Sequence, residues 1–429
     1  MNLYQNFFYS PQVDALFTNE ATIGYMLQFE SALAQAQAKY GMIPQNIADI
    51  ISEKCIIENI DIQLLISQVG LGGNACIPLV KQLTNAVKKQ NTEAAGYVHF
   101  GATSQDVIDT ATILQAKDAV IIIENYLVKI IYQLQILSKN HQQTPMIGRS
   151  FMQQARPITF GFKVDTWLDG LNRSKERIER ILEDSFVVQL GGAVGNKSAF
   201  GANGDNISEI LATILNLKNS KISWHTQRDR IVEISTVLGI LTGTISKIAK
   251  DVSLMMQTEI AEVFEPAGDG KGGSSTMPHK RNPISSIAIL ANAQRMPNLV
   301  STMLSCMTQD HERATGQWHA EWETFSQIIQ LTGGTVNQAV NLTNGLEINA
   351  LNMLKNLETT NGLINAESVS LALSKFIGKN EAHQFIEKSC QEAVKQKIHL
   401  KEYLRNQPLI KQYLASDIFE SLFGNIESV

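Results

Sequence analysis

The chain has 429 residues, beyond the size at which one hydrophobic core stops growing, so two or three structural units are expected. Its hydrophobic fraction of 44% is ordinary for a soluble globular protein, which leaves room for a sizeable core. A net charge of −5 with no basic stripe argues against a nucleic-acid partner.

Cys55, Cys76, Cys306 and Cys390 are scattered and form no Cys-x-x-Cys pair, which points to buried thiols rather than a disulfide framework or a zinc site. The N-terminus lacks the basic and apolar regions of a signal sequence, and no apolar run is read as long enough to span a membrane. A soluble, cytoplasmic protein with no membrane partner is therefore expected.

Taken in order, the chain reads as helix. From Glu20 to Ala38, apolar residues fall at Ile23, Met26, Leu27, Leu33 and Ala34, and the pattern stops at Gly41 with Pro44 beyond. A further helix opens near Pro44, and the segment from Gly70 to Pro78 reads as an irregular loop. From Ala102 to Thr144 there is neither Gly nor Pro, and Val107, Ala111, Leu114, Ala119, Ile122, Leu127, Ile131 and Leu134 keep one apolar face. A second long run goes from Thr226 to Val263 with Gly239 and Gly243 inside it.

After Pro283 another long helix is expected, interrupted near Pro297. Clustered Gly333, Gly334, Asn337, Asn341 and Asn344 precede a smaller unit that carries helices over Ala366–Phe376 and Glu381–Lys397. Long amphipathic helices without strand-like runs between them argue for an all-α bundle. The pattern divides as an N-terminal helical domain over 1–105, a central long-helix domain over 106–346 and a small helical domain over 347–429.

Four polar islands interrupt this background. Tyr97–Asp106 holds His99, Thr103, Ser104 and Gln105 at the start of a long helix, where hydroxyls and free N–H groups suit a carboxylate; simple N-capping by Thr103 or Ser104 is the competing reading. Met146–Pro157 offers Arg149, Arg156, Gln153 and Gln154 for carboxylate or carbonyl recognition. Trp224–Arg230 contains His225 and Arg228. Asp310–His319 gathers Glu312 and Arg313 between two histidines whose spacing does not fit a zinc site, so no metal is expected.

Residues 270–283, Gly-Lys-Gly-Gly-Ser-Ser-Thr-Met-Pro-His-Lys-Arg-Asn-Pro, form a fifth, denser stretch. Its glycines allow a loop to close over a ligand, and its hydroxyls and cations can handle an anion. It lacks the Gly-x-x-x-x-Gly-Lys-Ser/Thr pattern of a phosphate loop. A serine acting as a base there needs stabilisation of its alkoxide by Lys280, Asn282 and backbone N–H groups.

Gly-Ser-Ser-Thr-Met-Pro-His-Lys-Arg-Asn-Pro at 273–283 resembles the signature of the fumarase/aspartase superfamily. Thr103-Ser104-Gln105-Asp106 and Gly148-Arg149-Ser150 resemble that family's other two segments, in the same order. The resemblance is closest to the superfamily's lactonising cycloisomerases and looser to adenylosuccinate lyase. It implies an all-helical subunit of three domains, a homotetramer whose long central helices form a shared core, and active sites drawn from three subunits. It also implies anti addition or elimination beside a carboxylate, no cofactor, and a small tricarboxylate as substrate.

The resemblance maps Ser274 onto the family's catalytic serine, with adjacent Ser275 as the fallback. Lys280 and Asn282 are then expected to stabilise enolate-like charge. Thr103, Ser104 and Gln105 are expected to hold one substrate carboxylate; Arg149, Arg228 and Arg313 are candidates for the others, with His99, Gln154 and Met277 as further substrate contacts. Where adenylosuccinate lyases carry two histidines, this chain has Phe151 and Gln154, so a general acid is missing from that segment. An intramolecular lactonisation, whose nucleophile is already ionised, tolerates that absence better than amine expulsion does. A catalytically silent, crystallin-like relative is the third reading; the joint presence of Ser274, Lys280 and Asn282 weighs against it.

Overall fold

The computed structural model describes residues 3–268, 272–273, 277 and 279–424. Helices dominate it. The longest are Asn19–Lys39, Ser104–Asn140, Phe160–Asp184, Asp229–Met255, Ile284–Ser305 and Gln317–Thr343, and shorter helices complete the chain. The described residues divide into two compact units. The first comprises 1–129, 171–247 and 287–340; the second comprises 130–170, 248–286 and 341–429.

In the first unit the core is built from apolar faces at helical spacing. Leu27, Phe29 and Leu33 of helix Asn19–Lys39 pack with Ile47 and Ile51, with Leu79 and Leu83, and with Val107, Ala111 and Leu114. In the second unit Val369, Leu373, Ile386, Leu400 and Phe419 form a separate apolar cluster.

Several expectations change. The Gly70–Pro78 stretch is mostly helical, because one helix runs to Gly72 and the next begins at Cys76. Pro78 sits in the first turn of that second helix, where its missing N–H costs nothing. Helix Ile284–Ser305 continues through Pro297 instead of breaking. Gly333 and Gly334 lie inside helix Gln317–Thr343 and do not end it. They are bare because the N-terminal segment packs on them: a Cβ at Gly334 would lie 1.8 Å from the Phe8 carbonyl oxygen, and one at Gly333 would lie 2.8 Å from Val13.

Strands also occur. In the second unit β1 (Pro145–Ser150) pairs antiparallel with β2 (Gln153–Thr159), joined by the two-residue turn Phe151-Met152. A two-residue ladder pairs Val263–Phe264 with Glu347–Ile348. The hairpin register slips between Ile147 and Arg149. Gly148 falls at the slip, where a Cβ would come within 2.9 Å of the Arg156 carbonyl. Helices Ser104–Asn140 and Asp229–Met255 are apolar enough to cross a membrane by length and composition alone, a test that a core helix of a globular protein also passes.

Candidate functional site

In the first unit the site grows from the start of helix Ser104–Asn140. Thr103 precedes it, and Asp106 and Val107 both donate their N–H groups to the Thr103 carbonyl. The Asp106 carboxylate reaches back to the Thr103 N–H at 3.0 Å, which is one half of a capping box. The N–H groups of Ser104 and Gln105 make no backbone bond, as expected for the first turn of a helix, and they carry the positive end of its dipole.

Arg313 completes this corner. Its Nη1 donates to Thr103 Oγ1 at 2.9 Å and its Nη2 to the Ala193 carbonyl at 3.1 Å, while its buried Nε has no partner. Among the described residues no carboxylate pairs with it, so its charge is uncompensated beside a helix N-terminus. A cation with a spare buried donor, next to a hydroxyl and free N–H groups, is chemically suited to a carboxylate.

Gln105 points elsewhere. Its side chain is buried and donates to the His225 carbonyl at 2.9 Å and to Asp109 at 3.2 Å, so only its backbone faces the corner. The pKa of the buried Cys76 thiol is pushed up chiefly by burial and further by the Glu30 charge. His99 has a left-handed backbone and bonds Glu30 through Nδ1 at 2.6 Å. Burial pulls the His99 pKa down, but the charge and hydrogen bond of Glu30 outweigh it, so the net shift is upward. Glu30, Cys76 and His99 bring one metal-ligand type of atom each to within 4.8 Å of one another.

Arg228 is a correction. Expected to meet substrate, it is 2% exposed and faces two carboxylates of its own chain. Its Nη1 and Nη2 bond Asp109 at 2.8 and 3.0 Å, and Nη2 bonds Glu321 at 2.6 Å. The guanidinium also lies 4.9 Å from the Trp224 ring. Although burial opposes its charge, the two carboxylates hold its pKa above the usual arginine range. It ties three elements together and presents nothing outward.

In the second unit Arg149 stands on β1 and donates two parallel bonds to Glu262, at 2.9 and 2.7 Å. Glu262 also accepts from Asn356 Nδ2 at 2.8 Å. Gln154 is the partner of Arg149 in the hairpin register, and its Oε1 is buried without a hydrogen bond. Phe151, at the turn, is 99% exposed.

Ser274 and Ser275 lie outside the described residues. Of their neighbours, Met277, His279 and Lys280 are exposed, and Asn282 donates its N–H to the Gly272 carbonyl at 2.9 Å. A cavity of about 160 Å³ is lined by Glu265, Gly272, Arg281 and Asn282, among others. Arg281 is held by Glu347 through two bonds of 2.8 Å. The N-terminus of helix Ile284–Ser305 is already occupied, because Glu265 accepts from the Ser285 and Ser286 N–H groups at 2.9 and 2.8 Å.

The sequence reading passed over the carboxylates that organise these groups: Asp109, Glu262, Glu265 and Glu321. Asp106 alone carried a visible signal, the Thr-x-x-Asp spacing of a capping box.

The architecture is that of an α-helical lyase. Residues 9–297 match the family model described as Lyase, and residues 362–428 match the one described as Adenylosuccinate lyase C-terminus. The chain belongs to the fumarase/aspartase superfamily. It is 45% identical to 3-carboxy-cis,cis-muconate cycloisomerase of Acinetobacter baylyi, over 99% of this chain and 96% of that one. The crystal structure of beta-carboxy-cis,cis-muconate cycloisomerase from Acinetobacter calcoaceticus superposes with a TM-score of 0.93 at 42% identity, covering 99% of this chain and 96% of that chain. Trans-aconitate decarboxylase 1 of Mycosarcoma maydis is 36% identical over 90% of this chain and 78% of its own length.

Proposed function

We propose that this protein is a 3-carboxy-cis,cis-muconate cycloisomerase, closing its substrate to 4-carboxymuconolactone in aromatic catabolism. The similarity over nearly the whole chain to proteins of that name supports the reading. The observation in the structure that carries it is Arg313, a cation with no paired carboxylate among the described residues and with a spare buried donor beside Thr103 and a helix N-terminus.

In this reading one substrate carboxylate oxygen forms a C–O bond to the diene, and the displaced electron pair moves into a neighbouring carboxylate as an aci-carboxylate. Ser274 delivers the proton that forms the new C–H bond, with Ser275 as the alternative. Lys280 and Asn282 stabilise the intermediate charge. A tricarboxylate trianion becomes a dianionic lactone, so the net reaction takes up one proton. No general acid is required to expel a leaving group, which agrees with Phe151 and Gln154 standing where histidines would serve. Thr103, Ser104 and Arg313 hold one carboxylate; Arg149, Gln154, His99 and Met277 serve the rest of the substrate.

A homotetramer is part of the proposal. Exposed Ile121, Val128, Tyr132 and Ile136 recur along one face of helix Ser104–Asn140, an apolar stripe suited to partner helices. Adenylosuccinate lyase is the second reading, favoured by the C-terminal match at residues 362–428. The deciding experiment follows the diene absorbance of 3-carboxy-cis,cis-muconate with purified protein. Its loss without added cofactor supports the cycloisomerase, whereas no turnover together with cleavage of adenylosuccinate overturns it.

A further inference from the structure

We propose that Asp106 and His225 form a positioning pair that sets where Arg313 and Thr103 meet a carboxylate, a role that rests on reading those two residues as ligand contacts.

The argument starts from the Asp106 carboxylate, which is fully buried and uses both oxygens twice. Oδ2 accepts from the N–H groups of Thr103 at 3.0 Å and Gly192 at 2.9 Å. Oδ1 accepts from the Gly191 N–H at 2.9 Å and from His225 Nε2 at 2.8 Å. An ionised carboxylate has about four acceptor sites, so this one is saturated.

The bonds join two chain segments 85 or more residues apart in sequence. Arg313 spans those same two segments, one Nη on Thr103 Oγ1 and the other on the Ala193 carbonyl. Asp106 thus fixes the backbone at 103 and at 191–192, and the guanidinium is stretched between their immediate continuations. A change in the separation of the two segments moves Arg313, and with it the unpartnered Nε.

His225 locks the carboxylate from the other side. Asp106 already accepts from three backbone N–H groups, so Nε2 is the donor in its bond with His225, and the buried Nδ1 has no hydrogen-bond partner. The imidazole is wedged under the same loop: a Cβ at Gly191 would lie 2.8 Å from its Cε1, and one at Gly195 would lie 3.5 Å from its Nδ1. Neither Asp106 nor His225 needs to touch substrate for this. They act through Thr103 and Arg313.

The test measures binding of tricarballylate, a stable tricarboxylate, by calorimetry, alongside KM and kcat for 3-carboxy-cis,cis-muconate, on wild type, Thr103→Val, Asp106→Asn, His225→Phe and His225→Gln. In Asp106→Asn an NH2 group meets backbone donors, so affinity falls by about tenfold or more. His225→Phe removes the donor and weakens binding by about tenfold, while His225→Gln, which can still donate to Asp106, stays within about threefold of wild type. The loss appears in KM more than in kcat. Imidazole ¹⁵N shifts of wild type show the Nε2–H tautomer, and the Asp106→Asn protein loses that bias.

If Asp106→Asn does not fold, the His225 pair decides. Weakening by Thr103→Val with unchanged binding in His225→Phe overturns the positioning pair alone. Wild type that binds no tricarballylate and turns over no substrate overturns the functional reading, and the pair falls with it.

Discussion

Arg149 and Glu262 face each other through two parallel N–H···O bonds of 2.9 and 2.7 Å, although 113 residues separate them in the chain. The carboxylate is fully buried and takes a third bond from Asn356. Arg149 is therefore aimed by residues from outside its own hairpin, and its charge is matched within the chain. Arg313 has no such partner among the described residues. Two arginines that look alike in sequence differ in the net charge they can offer a ligand.

Replacing Glu262 by Gln should cost more than the mean hydrogen bond. It leaves the guanidinium without its counter-charge and Asn356 with a weaker acceptor, a change of about 3 kcal/mol for one partner of a buried ion pair. Denaturant unfolding measures the stability, and KM for the tricarboxylate should rise in parallel because Arg149 loses its fixed aim. Unchanged stability would mean that Asn356 alone holds the segment.

Arg228 and Arg313 separate structure from recognition. Arg228→Met strips Asp109 and Glu321 of their shared cation and should destabilise the protein by about 3 to 5 kcal/mol. Arg313→Met removes two bonds at a half-exposed corner and should cost about 1 to 2 kcal/mol while abolishing most turnover. Thermal unfolding and kcat/KM on the two variants read the contrast directly, and equal losses of stability would refute the division of roles.

Those two arginines also show what a sequence can and cannot carry. The long helices were visible because their apolar residues recur every three or four positions over stretches such as 102–144 free of Gly and Pro. That Gly333 and Gly334 stay inside a helix was not readable, because those glycines answer a tertiary contact with Phe8 and Val13, more than 300 residues away, and local propensity cannot see it. The contact between Asp106 and the Thr103 N–H left a local signal in its Thr-x-x-Asp spacing, although only N-capping by Thr103 or Ser104 was read there. That Arg228 is sealed between Asp109 and Glu321 was not readable, since partners 119 and 93 residues distant leave no local pattern.

His99 gives a dependence on pH with a defined sign. Burial opposes its charge, yet Glu30, bonded at 2.6 Å, and Asp106 beyond it hold its folded pKa above the ordinary value. The stability this provides is complete below the unfolded pKa of about 6.5 and is lost as pH rises through the higher folded value. The gap in unfolding free energy between wild type and His99→Gln should be largest near about pH 6 and shrink at alkaline pH. The thiol of Cys76, raised by burial and by Glu30, stays neutral through this window. A gap that does not vary with pH would assign His99 to packing alone.

The tip of the hairpin sets stability against activity. Phe151 and Met152 both have positive φ, 50° and 65°, as the two central residues of a tight strand-to-strand turn require, yet neither is a residue that favours that region. Phe151 is almost wholly solvent-facing, so no packing within the subunit compensates the strain. Asn-Gly at these positions fits the same backbone and should stabilise the protein by about 1 kcal/mol. If the tip serves the site through Gln154 and Arg149, which share its hairpin, the same double substitution, Phe151→Asn with Met152→Gly, should lower kcat/KM as the melting temperature rises. A variant that gains stability and keeps full activity would reduce the turn to a tolerated irregularity, because backbone strain with no functional return is what a neutral change removes.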